Sequence, residues 1–352
     1  MGRHTFPVRQ IAVQAGVSDA TVDRVLHGRE GVRASTAARV RRAIADLERQ
    51  QAEFELAGRT FTVDLVMQTP RRFSSAVRAA FDAVVPTFRP ATFRIRPHLF
   101  ETVAPAKVAR ALDDVRRRGS AAVILKAPDV PAVVEAVDEV SAAGLPVFTL
   151  VTDLPTSRRL AYVGIDNRAA GATAAYLIDR WLGPVRATLP ATGEAAAAPA
   201  TVLVTMSSGR FRGEEEREAG FRSAARRIAP GWRIADLAET QGLDRTIEAQ
   251  LDAVARAESI DAVYSIGGGN RAILRTLDRR GRRPAVFIAH DLDEDNRALL
   301  ESQRVSAVLH HDLRADAARL CRLVMQAHRA VPGVPATELA PVQVITPYNL
   351  PS

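Results

Sequence analysis

The residues best suited to contact nucleic acid lie close together near the N-terminus, in segment 18–24. If this segment forms a helix that begins after Ser18, four positions face outward near its start: Asp19, Ala20, Thr21 and Arg24. An arginine guanidinium donates two parallel hydrogen bonds to the edge of guanine, which makes Arg24 a candidate base contact. Ser18 belongs to the same candidate set because it begins the helix. The competing interpretation is that Arg24 forms an ion pair within the protein.

A second candidate group follows at the start of the next predicted helix. Arg33, Ser35 and Thr36 can donate hydrogen bonds to phosphate oxygens, and the N-terminus of a helix favours anions. Contacts of this kind position a protein on the duplex without reading its sequence. The N-terminal segment therefore predicts base contacts from one helix and phosphate contacts from the next.

The histidines and the cysteine do not form a recognisable metal site. His290 precedes Asp291, and His310 and His311 precede another aspartate, but this spacing is not diagnostic of metal binding. The single cysteine, Cys321, excludes an internal disulfide and any metal site with several cysteines. We therefore expect no bound metal.

Known enzyme motifs are also missing. The glycine run 267–269 does not extend to the Gly-x-Gly-x-x-Gly pattern of dinucleotide sites, and no Gly-x-Ser-x-Gly or phosphate-binding loop occurs. The carboxylates at 214–216 are interpreted as the solvated face of a helix. The sequence thus predicts a binding protein without a cofactor, and not an enzyme.

Residues 7–50 show the pattern of three short helices that would position the N-terminal contacts. Ile11 and Ala15 give the first helix a packed face, Gly16 permits a tight turn, and Ser18 is a favourable N-cap for the second. The third helix has an apolar face of its own, formed by Val40, Ile44 and Leu47. This layout is that of an all-α helix-turn-helix.

After residue 60, strand-like runs alternate with amphipathic helices. The predicted strands are 62–67, 93–99, 121–125, 146–150, 161–163, 201–205, 233–237, 262–265, 285–289 and 305–309. Such alternation predicts parallel sheets covered by helices on both faces, and ten strands exceed one ordinary sheet. We therefore expect an α/β domain of two doubly wound lobes. Residues 184–200, rich in proline and alanine, are expected to be a surface insertion.

The composition is that of a folded protein with a polyanionic partner. Among 352 residues, 47% are hydrophobic, 25% are charged and the formal net charge is +8, which favours nucleic acid without specifying a fold. Nearly all the positive charge is arginine, since Lys107 and Lys126 are the only lysines. No secretion signal or membrane-spanning run is recognisable, so we expect a cytoplasmic protein without a membrane partner.

The N-terminal motif resembles the DNA-binding headpiece of the lactose-repressor (LacI/GalR) family. Its pattern, A-x-x-A-G-V-S-x-x-T-V-S-R-V, is matched at most positions of 12–25. The exception is Asp23, where the family usually has serine. The resemblance implies that the second helix is the recognition helix, and that Ser18 to Arg24 lie in the major groove.

The connector, residues 51–60, resembles the end of the family's hinge. It lacks the family's Tyr-x-Pro-Asn element and is shortened, but Leu56, Ala57 and Gly58 match the end of the hinge helix. In the family, the leucine enters the minor groove at the centre of the operator and kinks the DNA. The resemblance carries this role to Leu56.

From about residue 61 onward, the chain resembles the type I periplasmic sugar-binding fold that the family uses as its effector domain. In this fold the chain crosses three times between two lobes, and the ligand binds in the cleft. The expected divisions are a headpiece at 7–50, a linker at 51–60 and an effector domain at 61–352. The first lobe would comprise 61–163 and 292–330, and the second 164–291 and 331–352.

The same resemblance implies six ligand-binding candidates: Phe73, Asp153, Arg217, Asn270, Asp291 and His310. Phe73 would stack on a sugar face, Arg217 would bind adjacent oxygens or a carboxylate, and Asp291 would accept hydrogen bonds from hydroxyls. Three alternatives stay open. The acidic position can lie one or two residues from 153, the glycine backbone at 267–269 can replace Asn270, and His311 can replace His310.

These features together predict a transcriptional regulator. We expect a homodimeric repressor that binds a near-palindromic operator and is controlled by a sugar or related polyol. The alternative is a small-molecule-binding module whose vestigial headpiece no longer binds operator DNA. A shift assay with genomic DNA separates the two.

Overall fold

Three helices form the N-terminal unit: α1 (Val8–Ala15), α2 (Asp19–Leu26) and α3 (Ala34–Leu56). The structure, a computed structural model, describes residues 6–187, 199–257 and 259–351. Gly16 adopts the left-handed conformation that ends α1, a backbone geometry that glycine reaches at little cost. The helices share a core that includes Ile11, Val22 and Val40, each fully buried. The N-terminal unit is therefore packed as the sequence predicts.

The predicted linker is largely helical. Helix α3 continues without a break to Leu56, and the first strand begins at Thr60. Segment 48–56 contains neither glycine nor proline, so nothing in it interrupts the helix. Gly58, at φ +79°, then turns the chain into the first strand. Residues 51–60, whose backbone is described throughout, contain no separate hinge helix.

The first lobe is built on a five-stranded parallel sheet in the order β2-β1-β3-β4-β5. Its strands are β1 (Thr60–Gln68), β2 (Thr92–Phe100), β3 (Ala122–Lys126), β4 (Val147–Leu150) and β5 (Ala161–Val163). The helices that follow the strands are α4 (Arg71–Val84, continued by a 3-10 turn at Val85–Phe88), α5 (Pro105–Arg118) and α6 (Pro131–Ala142). Strands β3, β4 and β5 are buried along their whole length, as expected for a sheet covered on both faces.

The second lobe contains a six-stranded sheet in the order β11-β10-β9-β8-β6-β7. The strands are β6 (Thr201–Thr205), β7 (Arg233–Leu237), β8 (Ala262–Ser265), β9 (Val286–His290), β10 (Ala307–His310) and β11 (Gln343–Ile345). The helices of this half are α7 (Asn167–Ala187), α8 (Arg212–Ile228), α9 (Asp244–Ala257), α10 (Asn270–Arg279) and α11 (Glu294–Glu301). The pairing is parallel except for β11, which runs antiparallel to β10 at the edge.

The two doubly wound lobes and the ten predicted strands are confirmed. The eleventh strand, β11, escaped prediction because it has three residues and pairs only at the edge of the sheet. Most of the predicted insertion, residues 188–198, lies outside the described residues. No helix in the described part of the chain combines the length and the apolar character needed to cross a bilayer.

The chain crosses between the lobes three times: after β5, after β10 and before β11. Helix α12 (Leu313–Ala327) returns to the first lobe, where Leu320 and Val324 are part of the core. One expected boundary was wrong: residues 292–310 belong to the second lobe. Leu300 and Val308 pack in that lobe's core, and β10 pairs with β9, so the second crossing falls at residues 311–312.

Candidate functional sites

Helix α2 presents the predicted base-contacting residues on an exposed face. The hydroxyl oxygen of Ser18 accepts a hydrogen bond from the backbone N–H of Thr21 at 3.3 Å and caps the helix. Ser18, Asp19, Ala20 and Arg24 are exposed, and Thr21 is half-buried. Because Val22 points into the core, the opposite face of α2 is free to enter a groove.

The competing interpretation of Arg24 is not supported. Within the described residues its guanidinium has no ion pair, whereas the neighbouring Asp23 binds Arg29 at 3.0 Å and His27 at 3.1 Å. The contact with Arg29 also offsets the negative charge of Asp23, where the sequence departs from the family pattern. Arg24 thus stays available for a base contact.

The predicted phosphate contacts lie at the start of α3. Arg33 and Ser35 are exposed and Thr36 is half-buried. Arg39 donates a hydrogen bond to the carbonyl oxygen of Gly16 at 2.9 Å, which ties α3 to the turn between the first two helices. The predicted contacts of α2 and α3 are consequently held by one packed unit.

Leu56 is half-buried and packs against the core of the first lobe. Phe54, two residues earlier, has 82% of its surface exposed. In this arrangement the leucine links α3 to the lobe, and it would have to leave that contact to enter DNA.

A polar cavity lies between the lobes, where α4, β3, α8 and the end of β9 meet. It is open to solvent and, with that open space included, occupies about 740 Å³. Its charged lining residues are Arg72, Glu101, Lys126, Glu214, Arg217, Asp291 and Asp293. Three of the six predicted ligand residues therefore line one cavity: Phe73, Arg217 and Asp291.

Arg217 reaches the cavity because two helices cross very closely. A Cβ at Gly171 of α7 would lie 1.8 Å from the carbonyl oxygen of Arg217, and one at Gly220 of α8 would lie 2.1 Å from that of Arg168. Only glycine permits this approach of two backbones. The crossing sets the Arg217 Nε 2.8 Å from the Asn167 side-chain oxygen. Asn167 is therefore a positioning residue, whereas Asp166 accepts a hydrogen bond from the N–H of Ala169 at the start of α7.

Asp291 follows β9 in a left-handed conformation, at φ +64°. Its carboxylate lies 3.4 Å from His311 Nε2 and 3.9 Å from Arg217 Nη1. Burial would raise the pKa of Asp291, but His311 and Arg217 outweigh it and hold that pKa well below its usual range. Asp291 is accordingly an ionised acceptor at the base of the cavity.

His311 lies at the second crossing between two carboxylates. Its Nδ1 is 2.5 Å from Asp316 on α12, and its Nε2 faces Asp291. Burial lowers the pKa of His311, but the two carboxylates raise it to about 9. The protonated imidazole therefore connects the second lobe to α12 of the first.

This pKa predicts a pH dependence of stability. A histidine whose pKa is raised by folding stabilises the protein fully below pH 6.5, and the effect is lost as the pH rises through about 9. Between pH 6.5 and about 8 we expect the contribution of His311 to the free energy of unfolding to fall by about 1–2 kcal/mol. Burial lowers the pKa of His290 well below 6.5, so His290 contributes a smaller change of opposite sign as its unfolded form loses its proton. Burial also lowers the pKa of Lys126, to about 8, so its contribution changes mainly above this range and has the opposite sign.

Denaturant unfolding at the two pH values measures this effect. His311→Gln should be less stable than wild type at pH 6.5, and this difference in the free energy of unfolding should become smaller at the higher pH. A difference that is the same at both pH values would assign the dependence to another group.

Lys126, at the end of β3, enters the cavity between two aromatic rings. Its ammonium lies 4.5 Å from the centre of the Phe211 ring and 5.7 Å from that of Phe73. Only 8% of Lys126 is exposed. Phe73 is itself buried and presents its ring to the ammonium, so the expected stacking surface for a sugar is partly occupied by Lys126.

Arg72 of α4 spans the cleft. Its Nε lies 3.2 Å from the carboxylate of Asp293, and its Nη1 donates to the carbonyl oxygen of Gly242 at 3.3 Å. Asp293 also caps α11 by accepting from the N–H of Asn296. Burial raises the pKa of Asp293 to about 6. Arg72 therefore links the two lobes across the mouth of the cavity.

Three predicted ligand residues do not line the cavity. Asp153 accepts two hydrogen bonds from Arg159, at 2.6 and 2.5 Å. Asn270 donates to the side-chain oxygen of Asn296 at 2.6 Å. His310 accepts from the N–H of Leu292 at 3.2 Å and faces another part of the surface.

Their neighbours line the cavity in their place. Val151 and Thr152 replace Asp153, and the glycine backbone at 267–268 replaces Asn270. His290 lines it where His310 was expected, and His311 lies directly behind Asp291. For 270, the alternative left open by the sequence describes the lining better, whereas neither Val151 nor Thr152 is the acidic residue expected near 153.

Several lining residues were missed or interpreted differently. Glu214 was assigned to a solvated face, but its carboxylate accepts from the N–H and hydroxyl of Ser207 at 2.7 and 2.5 Å. Lys126 did carry a signal: it is one of two lysines and ends a fully buried strand. Arg72 gave none, because its partners are 170 or more residues away in the chain.

Two family models match the chain. Residues 71–329 match the model described as periplasmic binding protein domain, and residues 8–48 match that of bacterial regulatory proteins, lacI family. The first match covers most of the two lobes and the second covers the three-helix unit. Comparison with curated proteins gave no match.

Several solved structures share the fold of the two lobes. GanP, a glucose-galactose binding protein from Geobacillus stearothermophilus, has a TM-score of 0.69 at 18% identity, over 83% of this chain and 99% of its own. A solute-binding protein from Agrobacterium vitis, bound to α-D-tagatopyranose, has a TM-score of 0.70 at 17% identity, over 82% of this chain and 95% of its own. A fructose-binding periplasmic domain of a hybrid two-component system has a TM-score of 0.70 at 17% identity, over 82% of this chain and 91% of its own. At these identities the likeness establishes the fold.

Proposed function

The chain belongs to the periplasmic binding protein domain family and carries a lacI-family headpiece, and from this we propose that it is a transcriptional repressor controlled by a sugar or related polyol. The predicted resemblance to the lactose-repressor family is confirmed by the two matches, as is the prediction of a binding protein and not an enzyme. The proposal adds the direction of regulation and the class of ligand.

One observation carries the proposal: a single chain joins the exposed face of α2, the predicted recognition helix, to a cavity between the lobes that is lined by charged residues. Helix α3 begins with the predicted phosphate contacts and ends at Leu56, four residues before β1 of the first lobe. A change in the position of that lobe would therefore be transmitted to the headpiece through a continuous helix. This supports control of DNA binding from the cavity.

The DNA-binding form is proposed to be a homodimer on a near-palindromic operator. One headpiece supplies one recognition helix, so two half-sites related by the two-fold axis of the dimer provide the specificity. Leu56 is proposed to leave the first lobe and enter the minor groove. The protein would act where the DNA is, in the cytoplasm.

The ligand class follows from the cavity and from the relatives. The fold is shared by proteins described as binding glucose and galactose, fructose and tagatose. The cavity combines guanidinium donors with the ionised carboxylate of Asp291, and these groups hydrogen-bond to hydroxyls as donors and acceptors respectively. Both facts favour a polyol.

A vestigial headpiece is the second candidate function. The observation that favours it is the contact of Leu56 with the first lobe, together with the unbroken α3. In that case the protein would bind its ligand without binding an operator.

A shift assay on genomic fragments distinguishes the two functions. We expect the full-length protein to retard a specific fragment, to protect two half-sites about one helical turn apart, and to sediment as a dimer. A monomer both free and on DNA would contradict the proposed assembly. Ligand binding without retardation of any fragment would establish the vestigial alternative.

A further inference from the structure

The cavity holds buried cationic groups whose hydrogen-bonding capacity the protein leaves unused. We propose that the effector is a polyol with one anionic group, a carboxylate or a phosphate, bound by Lys126 and Arg217. The inference rests on the proposed function, and it narrows the ligand from polyols in general to charged ones.

Lys126 is the first of these groups. Only 8% of its surface is exposed, and it has no hydrogen bond or ion pair to any described residue. Its contacts are the faces of Phe73 and Phe211, which attract a cation but offer it no acceptor. An ammonium held in this way retains three donors for a ligand.

Arg217 is the second. Only 3% of it is exposed. Its Nε is bound to Asn167, and its Nη1 lies 3.9 Å from Asp291. Its Nη2 is buried and has no hydrogen-bond partner among the described residues. Leaving such a donor unpaired is costly, so the site is completed when a ligand supplies acceptors to Nη2 and to the ammonium of Lys126 together.

The carboxylates of the cavity do not fill this role, because each is already engaged. Glu214 is held by Ser207, Asp293 by Arg72, and Glu101 by the N–H of Arg71 at 3.1 Å. Asp291 lies between His311 and Arg217. Glu214 and Asp291 act on Lys126 electrostatically, but among the described residues no carboxylate accepts a hydrogen bond from its ammonium or from Arg217 Nη2.

The remaining unpaired atoms face the uncharged part of such a ligand. They are Gln68 Oε1 and His290 Nδ1, and both residues line the cavity. An amide carbonyl oxygen accepts from a hydroxyl, and neutral imidazole can do so through its free nitrogen. A chain or ring of hydroxyls carrying one anionic group matches both the cationic donors and these acceptor atoms.

Lys126 also provides a pH signature. Burial lowers the pKa of Lys126 to about 8, although Glu214 and Asp291 act in the opposite direction. An anion bound to the ammonium requires the protonated form. Its affinity should therefore fall roughly tenfold between pH 7 and pH 9, whereas a neutral polyol lacks this charge requirement.

Calorimetry and thermal shift with matched ligand pairs test the inference. The pairs are D-gluconate with D-glucitol, D-galacturonate with D-galactose, and D-glucose 6-phosphate with D-glucose, and inorganic phosphate serves as the bare anion. We expect a charged member to bind at least tenfold more tightly than its neutral counterpart. The three pairs distinguish a carboxylate from a phosphate. Lys126→Gln should abolish this preference and the pH signature, and Lys126→Arg should keep the preference.

Lys107→Gln is the matched control, because it makes the same change at the only other lysine, which is exposed on α5. A neutral member that binds as tightly as its charged counterpart would overturn the inference and leave the sugar-controlled function standing. The inference would also be overturned if the preference survived Lys126→Gln, or if no charged member bound while a genomic fragment was still retarded.

Discussion

Replacing Arg217 with methionine should abolish the response to ligand and leave operator binding in place. The guanidinium is buried in the cavity, and its loss removes donors that no other described residue supplies at that position. Removing one partner of a buried, charged hydrogen bond costs about 2–5 kcal/mol, roughly thirtyfold or more in Kd. The proposed DNA contacts lie in residues 18–56, outside the cavity. Titration of ligand against wild type and variant measures the loss.

Arg226→Met is the control for this change. It lies on the same helix, α8, but is exposed, so ligand affinity should stay unchanged. The structural alternative is that Arg217 chiefly holds the lobe together through Asn167 and Asp291. The melting temperature without ligand would then fall and DNA binding would weaken with it. An unchanged ligand response in Arg217→Met would refute the site assignment.

Replacing Arg24 with alanine should weaken operator binding by about 2–6 kcal/mol. A bidentate contact with guanine contributes about 1–3 kcal/mol of discrimination per half-site, and a dimer loses it twice. Arg24 is exposed and has no ion pair or side-chain hydrogen bond within the described residues, so the substitution removes neither from the headpiece. Anisotropy titrations with operator and random DNA give both affinities.

Arg33→Ala is the comparison for this prediction, because Arg33 is proposed to contact a phosphate. It should weaken binding to operator and random DNA alike and reduce the dependence of affinity on salt. Arg24→Ala should instead lower the affinity for operator more than that for random DNA. Equal losses on both DNAs in the Arg24 variant would make Arg24 a phosphate contact as well.

Local signals in the sequence were sufficient for the fold. Gly16 and Ser18 mark the turn of the headpiece through backbone geometry and capping, which act over a few residues. The strands of the lobes are continuous apolar runs because both faces of a parallel sheet are covered. One exception is β11, which depends on a pairing at the edge of the sheet. The other is the linker, where the absence of glycine and proline from 48–56 is itself a local signal for a continuous helix.

The cavity was predicted less completely because side-chain direction depends on single backbone angles and distant partners. Asp291 and Asp153 both follow strands, yet Asp291 turns into the cavity at φ +64° while Asp153 is held aside by Arg159. Lys126 and Arg72 come from the first lobe and meet the second only when the cleft is formed. No local sequence pattern predicts which side chains of the two lobes come into contact there.

The linkage between ligand and operator tests the central claim most directly. Ligand affinity should be measured with and without saturating operator, and operator affinity with and without saturating ligand. Because coupling is reciprocal, the two ratios should agree, at roughly 5–150-fold. Control of DNA binding from the cavity predicts such a shared factor, and predicts that it disappears in Arg217→Met. If both affinity ratios equal one in the wild type, the cavity and the headpiece act independently, and this result would contradict the account.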